Sequence, residues 1–176
     1  RTGDTLAWNF VFDGEKDYCY AAEGNGWGYE RGIDGLQARW SSDSKRVFTL
    51  QRDSRKVLET PIVEHVPRDG SLRPKLKNIK VSMQGDDYVP EYRLLVIDMM
   101  TGSVQAIDYP PIPIVRNSKG FFDSSLGWWD SGNRYAYFVD LERSYQSVRV
   151  VEIDTDTGEI LLEANTLISE ESIEVL

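Results

Sequence analysis

The stretch from residue 40 to residue 50, WSSDSKRVFTL, decides the fold because residues 129–138, WDSGNRYAYF, repeat its order. Each stretch runs from a tryptophan through a polar turn and a basic residue into an aromatic strand. A second element also occurs twice, since LVIDMMTG at 95–102 matches VEIDTDTG at 151–158 as a hairpin turn that ends in glycine. The repeated order of tryptophan turn, strand and hairpin predicts the four-stranded antiparallel blades of a β-propeller.

The rest of the chain favours the same all-β, antiparallel fold class. Short segments rich in aromatic and β-branched residues recur along it, and no segment keeps apolar residues at helical spacing over three turns. A plain β-sandwich is the alternative architecture, because its connections use the same turn residues.

The spacing of the two tryptophan turns predicts an insertion and an incomplete ring. Trp40 and Trp129 lie 89 positions apart, whereas a regular blade has ~40–50 residues. The excess predicts a long hairpin arm at about 57–91. The 176 residues then hold about two and a half to three blades, fewer than the roughly four to eight of a closed propeller. We therefore expect one partial propeller domain over residues 1–176, cut from a longer protein.

The composition disfavours several classes of function. The chain carries 20 lysine and arginine residues against 29 aspartate and glutamate residues, a formal net charge of −9, which argues against nucleic acid as a partner. No apolar run in the sequence approaches the ~18 residues of a membrane-spanning helix. One cysteine, Cys19, and one histidine, His65, leave no disulfide framework and no cysteine-based zinc site. We therefore expect neither a metal nor a cofactor.

A series of short motifs points to a family. In chain order they are WGYE at 27–30, LQARWSSDSK at 36–45, RDSRKV at 52–57, RPKL at 73–76 and GD at 85–86. Together with the hairpin motifs up to residue 153, this succession resembles the N-terminal β-propeller region of dipeptidyl peptidase IV-like enzymes, in the prolyl oligopeptidase group of serine peptidases. The second motif stands where that family has its Trp-Ser-Pro-Asp-Gly-Lys blade signature.

The resemblance implies a propeller that caps an α/β-hydrolase domain, in which a serine nucleophile sits in a G-x-S-x-G elbow. This chain has no such elbow, because Gly70-Ser71 and Gly102-Ser103 lack the flanking glycine, and His65 precedes most of the chain. We expect no catalytic residue in it. The full-length protein is expected to be a serine-type dipeptidyl peptidase, an aminopeptidase in the broad sense. Its hydrolase domain and a peptide substrate are the implied partners.

Glu30 is the one substrate-binding residue that the resemblance implies. The family places glutamates in a Trp-x-Tyr-Glu-Glu context on a short helix before a blade's tryptophan strand, where they hold the α-ammonium group of the peptide. Such carboxylates replace the hydration that the amine loses in a narrow site. Here Arg31 follows Glu30, so the second glutamate is missing. An exposed loop carboxylate is the alternative interpretation of Glu30.

The predicted arm offers a surface for association. It is locally basic, with Arg68, Arg73, Lys75, Lys77 and Lys80, and arms of this kind contribute to dimer contacts in the resembled family. We therefore expect a homodimer, with an exposed arm that has no partner as the alternative. A different class of function also stays open: a propeller or sandwich module for protein–protein interaction with no link to a peptidase.

Overall fold

In the residues that the computed structural model describes, every regular element is a β-strand. The structure describes residues 14–15, 17–20, 38–67, 69–112, 127–141 and 146–167, and these form eleven strands in three antiparallel sheets. The described residues contain no helix long and apolar enough to cross a bilayer. The predicted all-β, antiparallel fold class is confirmed.

The first sheet is built around two eight-residue strands, β3 (Arg46–Asp53) and β6 (Glu91–Asp98), which pair along their whole length. On the far side of β6, the sheet continues with β7 (Val104–Ala106). Two short strands share the other edge of β3: β2 (Ala38–Trp40) pairs with its first half, and β1 (Tyr18–Tyr20) with its last three residues.

A hairpin is inserted between the two long strands of this sheet. It consists of β4 (Glu59–Glu64) and β5 (Lys75–Lys80), which pair with each other as a separate two-stranded sheet. We call this hairpin the arm. Val57 before it and Ile79 within it are buried, so the root of the arm packs against the body of the protein while its strands extend outward.

The second sheet is a four-stranded meander in which each strand pairs with the next. Its strands are β8 (Gly127–Trp129), β9 (Tyr135–Leu141), β10 (Ser147–Asp154) and β11 (Ile160–Leu167). The pairing of β10 with β11 shifts register after Glu152. Such a shift is a β-bulge, which bends and twists a strand locally.

The turns of the two sheets match position by position. The turn before each long inner strand holds one left-handed residue that is not glycine, Ser44 (φ 60°) and Asn133 (φ 59°). The later hairpin turn ends in Gly102 (φ 74°) and Gly158 (φ 80°). Left-handed backbone is costly for residues with a Cβ atom, so its recurrence at matched positions indicates a true structural repeat.

One main-chain hydrogen bond ties the two turns together in each sheet. The amide of Met99 donates to the carbonyl of Lys45 at 2.8 Å, and the amide of Thr155 donates to the carbonyl of Arg134 at 3.1 Å. We therefore call β2, β3, β6 and β7 blade 1, and β8 to β11 blade 2. Both have the antiparallel four-strand order of propeller blades.

The core lies between the two blades. Blade 1 contributes the buried side chains of Phe48, Leu50, Leu94 and Val96, and blade 2 contributes those of Ala136, Phe138, Val151 and Ile153. Fully burying a large apolar side chain contributes about 1.5–3 kcal/mol. This shared core therefore holds the two sheets face to face.

Candidate functional site

Glu30, the predicted substrate-binding residue, lies outside the described residues. The strands on either side of its segment both pair with β3: Tyr20 is opposite Gln51 in its second half, and Ala38 is opposite Thr49 in its first half. The two attachment points of residues 21–37 therefore lie beside each other at the middle of β3. We call the carboxyl-terminal end of β3, where the arm leaves the sheet, the arm end.

Two buried polar side chains mark the arm end. Gln51 and Arg52 are adjacent in β3 and both are buried. The Nε2 atom of Gln51 and the Nε atom of Arg52 have no hydrogen-bond partner in the described part of the molecule. An unpaired buried donor destabilises a fold, so these two groups reduce the stability of this part of the sheet. Sequence reasoning did not single out either residue, and the only signal was an arginine inside an apolar strand.

Lys80 fixes the root of the arm. Its Nζ atom donates to the carbonyl oxygens of Ser54 at 3.2 Å and Arg55 at 2.9 Å, and it lies 3.1 Å from a carboxylate oxygen of Asp17. The carbonyl of Asp17 also accepts the amide of Ser54 at 2.8 Å. One ammonium group thus joins β5, the end of β3 and the residue before β1.

An ion pair lies at the arm end, between the last residue of β3 and the turn that follows it. Arg55 donates to both carboxylate oxygens of Asp53, at 3.0 and 2.7 Å, which is the geometry that favours bidentate recognition. Its guanidinium group also lies 4.1 Å from the centre of the Tyr18 ring. The hydrogen bond from Arg55 holds the pKa of Asp53 below its usual range, so the carboxylate stays ionised down to acidic pH.

A third polar group joins the blades near the same end. The hydroxyl of Tyr109 donates to Asp140 at 2.6 Å, and the Tyr109 ring meets Phe138 edge-on, with 4.9 Å between ring centres. Burial, and then the Asp140 carboxylate, raises the pKa of Tyr109 above its ordinary value. Asp140 occupies the position in β9 that Gln51 occupies in β3, so polar side chains recur at this end of both blades.

His65, Cys19 and Asp154 lie in three different environments. His65 is exposed beside β4. Burial raises the pKa of Cys19, which disfavours a reactive thiolate. Asp154 accepts the amide of Asp156 at 2.9 Å and pairs with Arg134 at 2.8 Å, an arrangement that stabilises a hairpin turn. Within the described ranges, no three histidine, cysteine or acidic side chains come together as a possible metal site.

The sequence holds four neighbouring aromatic residues at 121, 122, 128 and 129, of which the structure describes the two tryptophans. Trp129 donates its indole N–H to the carbonyl of Arg39 in blade 1 at 3.0 Å. Trp128 stacks on Tyr137 within blade 2, with ring centres 5.4 Å apart. Residues 121 and 122, both phenylalanine, lie outside the described residues. The described part of this group serves packing within and between the blades.

Comparison with known proteins gives one matching family and a set of similar folds. The sequence model of the family described as the dipeptidyl peptidase IV N-terminal region matches residues 9–172. No curated protein matches the sequence significantly.

Two of the similar solved structures come from bacteria. A Bacteroides ovatus protein described as a dipeptidyl aminopeptidase IV superposes with a TM-score of 0.65 at 14% identity, over 90% of this chain and 20% of its own. Dipeptidyl peptidase 4 of Porphyromonas gingivalis superposes with a TM-score of 0.59 at 13% identity, over 89% of this chain and 21% of its own. The chain thus spans about one fifth of the length of each.

Proposed function

The chain belongs to the family of dipeptidyl peptidase IV N-terminal regions, and from this premise we propose that it is the non-catalytic propeller portion of a serine-type dipeptidyl peptidase. The family match over residues 9–172 carries the proposal. The repeated blades and their likeness in fold to two bacterial relatives support it. As a member of this family, the chain is a domain of the kind associated with peptidases.

The proposed partner is an α/β-hydrolase domain elsewhere in the full-length protein, which would supply the nucleophile, the base and the oxyanion donors. The propeller would gate access to that site and contact the amino end of the peptide substrate. The arm end is the side of blade 1 that suits this role. It holds the buried Arg52 and Gln51 and the root of the arm, and residues 21–37 attach near it, at the middle of β3.

Glu30 is proposed to bind the substrate's free α-ammonium group. A carboxylate that meets this group in a site closed to water forms a charge-assisted hydrogen bond, and it also fixes the distance from the amino end to the scissile bond. Arg31 would compete for the same carboxylate. The proposal therefore requires Glu30 to turn toward the substrate and away from Arg31.

Substitution in the full-length protein tests both the peptidase context and the role of Glu30. Glu30→Gln is expected to lower kcat/KM for X-Pro dipeptide substrates with a free amine by an amount equivalent to about 2–5 kcal/mol. The matched control is Glu59→Gln, an exposed carboxylate at the start of the arm. For N-acetylated substrates, which are already poor, neither substitution should change kcat/KM appreciably. An equal loss for free and acetylated substrates would assign Glu30 a structural role, and absence of any X-Pro cleavage by the full-length protein would reject the peptidase context.

The 176-residue chain by itself is expected to release no product from chromogenic X-Pro substrates, because it lacks a nucleophile–base pair. Turnover that survives repurification would contradict the proposal. Exopeptidase activity that appears only in the full-length protein would favour the peptidase proposal over the interaction-module alternative.

Self-association through the arm is the second part of the proposal. Three large apolar side chains on the arm, Val66, Leu72 and Leu76, are exposed, and Leu72 is 99% exposed. Val63 is also exposed and is paired with Leu76 across the hairpin. Adjoining exposed apolar side chains favour association, and a twofold dimer needs only one self-complementary patch.

Sedimentation velocity at micromolar concentrations tests the dimer. Leu72→Asp is expected to shift a dimer to monomer, whereas Met100→Asp, at an exposed turn of blade 1, should leave the dimer intact. A monomeric unsubstituted chain would reject the dimer. A dimer that persists in Leu72→Asp would place the contact elsewhere.

A further inference from the structure

A short segment of blade 1 reaches across to blade 2. It consists of residues 107–112, which follow β7, and we call it the strap. The amide of Ile107 donates to the carbonyl of Leu94 at 3.0 Å, and Ile112 and Tyr92 exchange two main-chain hydrogen bonds at 2.8 and 2.9 Å. Both ends of the strap are therefore fixed to β6, and the strap moves as part of blade 1.

The middle of the strap contacts blade 2. The hydroxyl of Tyr109 donates to the carboxylate of Asp140 at 2.6 Å, and its ring meets Phe138 edge-on. The amide of Asp108 donates to the carbonyl of Gly158 at 2.8 Å. The two residues after Tyr109 are prolines, whose fixed φ restricts the conformations open to the strap. The Tyr109 hydroxyl thus ties blade 1 to a charged group of blade 2.

Polar contacts at the opposite end of the blades join their turns. The guanidinium group of Arg46 donates to the hydroxyl oxygen of Thr155 at 2.8 Å, and the side-chain oxygen of Asn133 accepts the amide and the hydroxyl of Ser42 at 2.7 and 2.9 Å. We call this end the turn end. Asp140 lies toward the other end of blade 2, next to the last residue of β9. The blades are therefore joined through their turns at the turn end, and through the strap toward the arm end.

Asp140 has a second partner within reach. Arg149 is opposite Asp140 in the pairing of β9 with β10, so the two side chains lie on the same face of blade 2. Arg149 also lies beside the Tyr109 oxygen, which raises the pKa of the guanidinium group, and its ion pair with Glu163 is long, at 3.6 Å. Leaving a half-buried carboxylate unpaired would make the release of Tyr109 costly. Arg149 removes that cost, because it can pair with Asp140 once the hydroxyl has left.

We propose that the strap is a releasable latch between the two blades. In the closed state the Tyr109–Asp140 hydrogen bond holds the blades together toward the arm end. In the open state Asp140 exchanges Tyr109 for Arg149, and the blades part at that end while the contacts at the turn end stay intact as the hinge. This inference concerns only residues of this chain and does not depend on peptidase activity.

Distances between pairs of spin labels on the 176-residue chain test the latch in a Cys19→Ser background. Labels at Glu91→Cys and Leu167→Cys report the separation of the blades at the arm end, and labels at Met100→Cys and Glu159→Cys report it at the turn end. All four positions are exposed. The labelled chain is diluted with excess unlabelled chain, so that each measured distance lies within one molecule.

Tyr109→Phe is the main variant, because it keeps the ring and removes the hydroxyl. The open population should rise about 10-fold, since a hydrogen bond to a charged group is lost, and the distances at the arm end should become longer and broader. The distances at the turn end should stay unchanged. The matched control is Tyr137→Phe, which removes a tyrosine–carboxylate hydrogen bond to Glu152 within blade 2 and should change neither distance.

Two outcomes would overturn the proposal. Unchanged distances at the arm end in Tyr109→Phe would show that the hydroxyl does not hold the blades together. Equal broadening at both ends would show a general loosening in place of a hinge at the turn end. Asp140→Asn is the second variant in case Tyr109→Phe impairs folding. It keeps a neutral acceptor, so the arm end should open in the same direction but to a smaller extent, and an unchanged arm end in a folded Asp140→Asn chain would also count against the latch.

Discussion

Blade 1 and blade 2 have matching turns and the same strand order, and they pack on one common core, but their surroundings differ. In blade 1 the two inner strands are joined by 37 residues that include the arm, whereas in blade 2 five residues make the same connection. We call the face of blade 1 that carries Phe48, Leu50, Leu94 and Val96, and the matched face of blade 2 that carries Tyr137, Val139, Val150 and Glu152, the forward faces. The forward face of blade 1 is buried, whereas none of the four residues on that of blade 2 is buried. The repeat therefore gives both blades the same strand arrangement, and the differences mark the surfaces at which each blade contacts other parts of the molecule.

The tryptophans of the two matched turns also differ in their burial. Trp129 of blade 2 is partly buried and bonded to blade 1. Its counterpart in blade 1, Trp40, is 53% exposed. Equivalent residues thus have different environments within the part of the chain that the structure describes. The burial of a residue in this fold therefore depends on contacts between the blades as well as on the sequence of its own blade.

The largest expected effect comes from truncating a large side chain on the covered forward face of blade 1. Phe48→Ala should destabilise the 176-residue chain by about 3–5 kcal/mol, because it leaves a cavity at the centre of the shared core. Tyr137→Ala, at the matched position on the open face, should cost clearly less. Urea denaturation followed by tryptophan fluorescence measures both.

This pair of substitutions also tests the comparison itself. Equal losses for Phe48→Ala and Tyr137→Ala would mean that the two forward faces are equally covered in solution. In a polypeptide that contains a covering blade, the cost of Tyr137→Ala should rise toward that of Phe48→Ala.

The next effect concerns the close approach of the blades at Gly158. A Cβ atom there would collide with the carbonyl oxygen of Ala106 and lie 2.7 Å from Nε2 of Gln105, and φ is +80°. Gly158→Ala should therefore cost about 2–4 kcal/mol. Gly70→Ala is the control, because φ is +81° but no atom lies within 4 Å of the added Cβ, so only the backbone cost of about 1 kcal/mol applies. Thermal unfolding of both variants separates steric contact from backbone strain.

The arm is the third difference between the blades, and Lys80 is the residue to test. Lys80→Met should cost about 1–3 kcal/mol, since the carbonyls of Ser54 and Arg55 and the Asp17 carboxylate lose their shared donor. Hydrogen exchange should accelerate in β4 and β5 and stay unchanged in blade 2. Lys75→Met, which removes only an exposed ion pair with Asp69, should leave exchange at the root unaffected. Identical exchange patterns in the two variants would show that Lys80 does not hold the arm.

The fold could be predicted from the sequence because its signals are local. A left-handed turn needs glycine or a small polar residue within a few positions, so Ser44, Asn133, Gly102 and Gly158 leave a readable pattern. The arm can be predicted for a similar reason, since an oversized spacing between repeats is visible without knowledge of packing. The number of blades in the complete ring stays a prediction, and so do the domain boundaries.

The site was less predictable because its features depend on distant contacts. The burial of Arg52 depends on both neighbouring strands, Cys19 in β1 and Tyr92 in β6 being its cross-strand neighbours, and a single strand does not reveal this. The open face of blade 2 is likewise invisible in its sequence, because Val150 has the apolar character of a covered residue. Glu30 rests on the family resemblance alone, since it lies outside the described residues.

The smallest expected effect is a pH dependence that distinguishes the two hairpin turns. Both Asp98 and Asp154 have a pKa below the usual range. In Asp154 the main cause is the hydrogen bond from Arg134, and in Asp98 it is the backbone amides of Thr101 and Met100. A carboxylate whose pKa is lower in the folded state contributes stability above its unfolded pKa of about 3.9, and this contribution is lost as the pH falls through the folded value.

Substituting each aspartate with asparagine isolates the charge, because the amide oxygen can still accept the turn's N–H groups. Asp154→Asn should lower the urea midpoint at pH 7 by about 0.3 M and flatten the loss of stability between pH 4 and pH 2. In Asp98→Asn the loss at pH 7 should be smaller. Because Arg134 is largely exposed, 1 M salt should reduce the Asp154→Asn effect more than the Asp98→Asn effect. Equal responses to salt in both variants would mean that the amides, and not Arg134, hold the Asp154 turn.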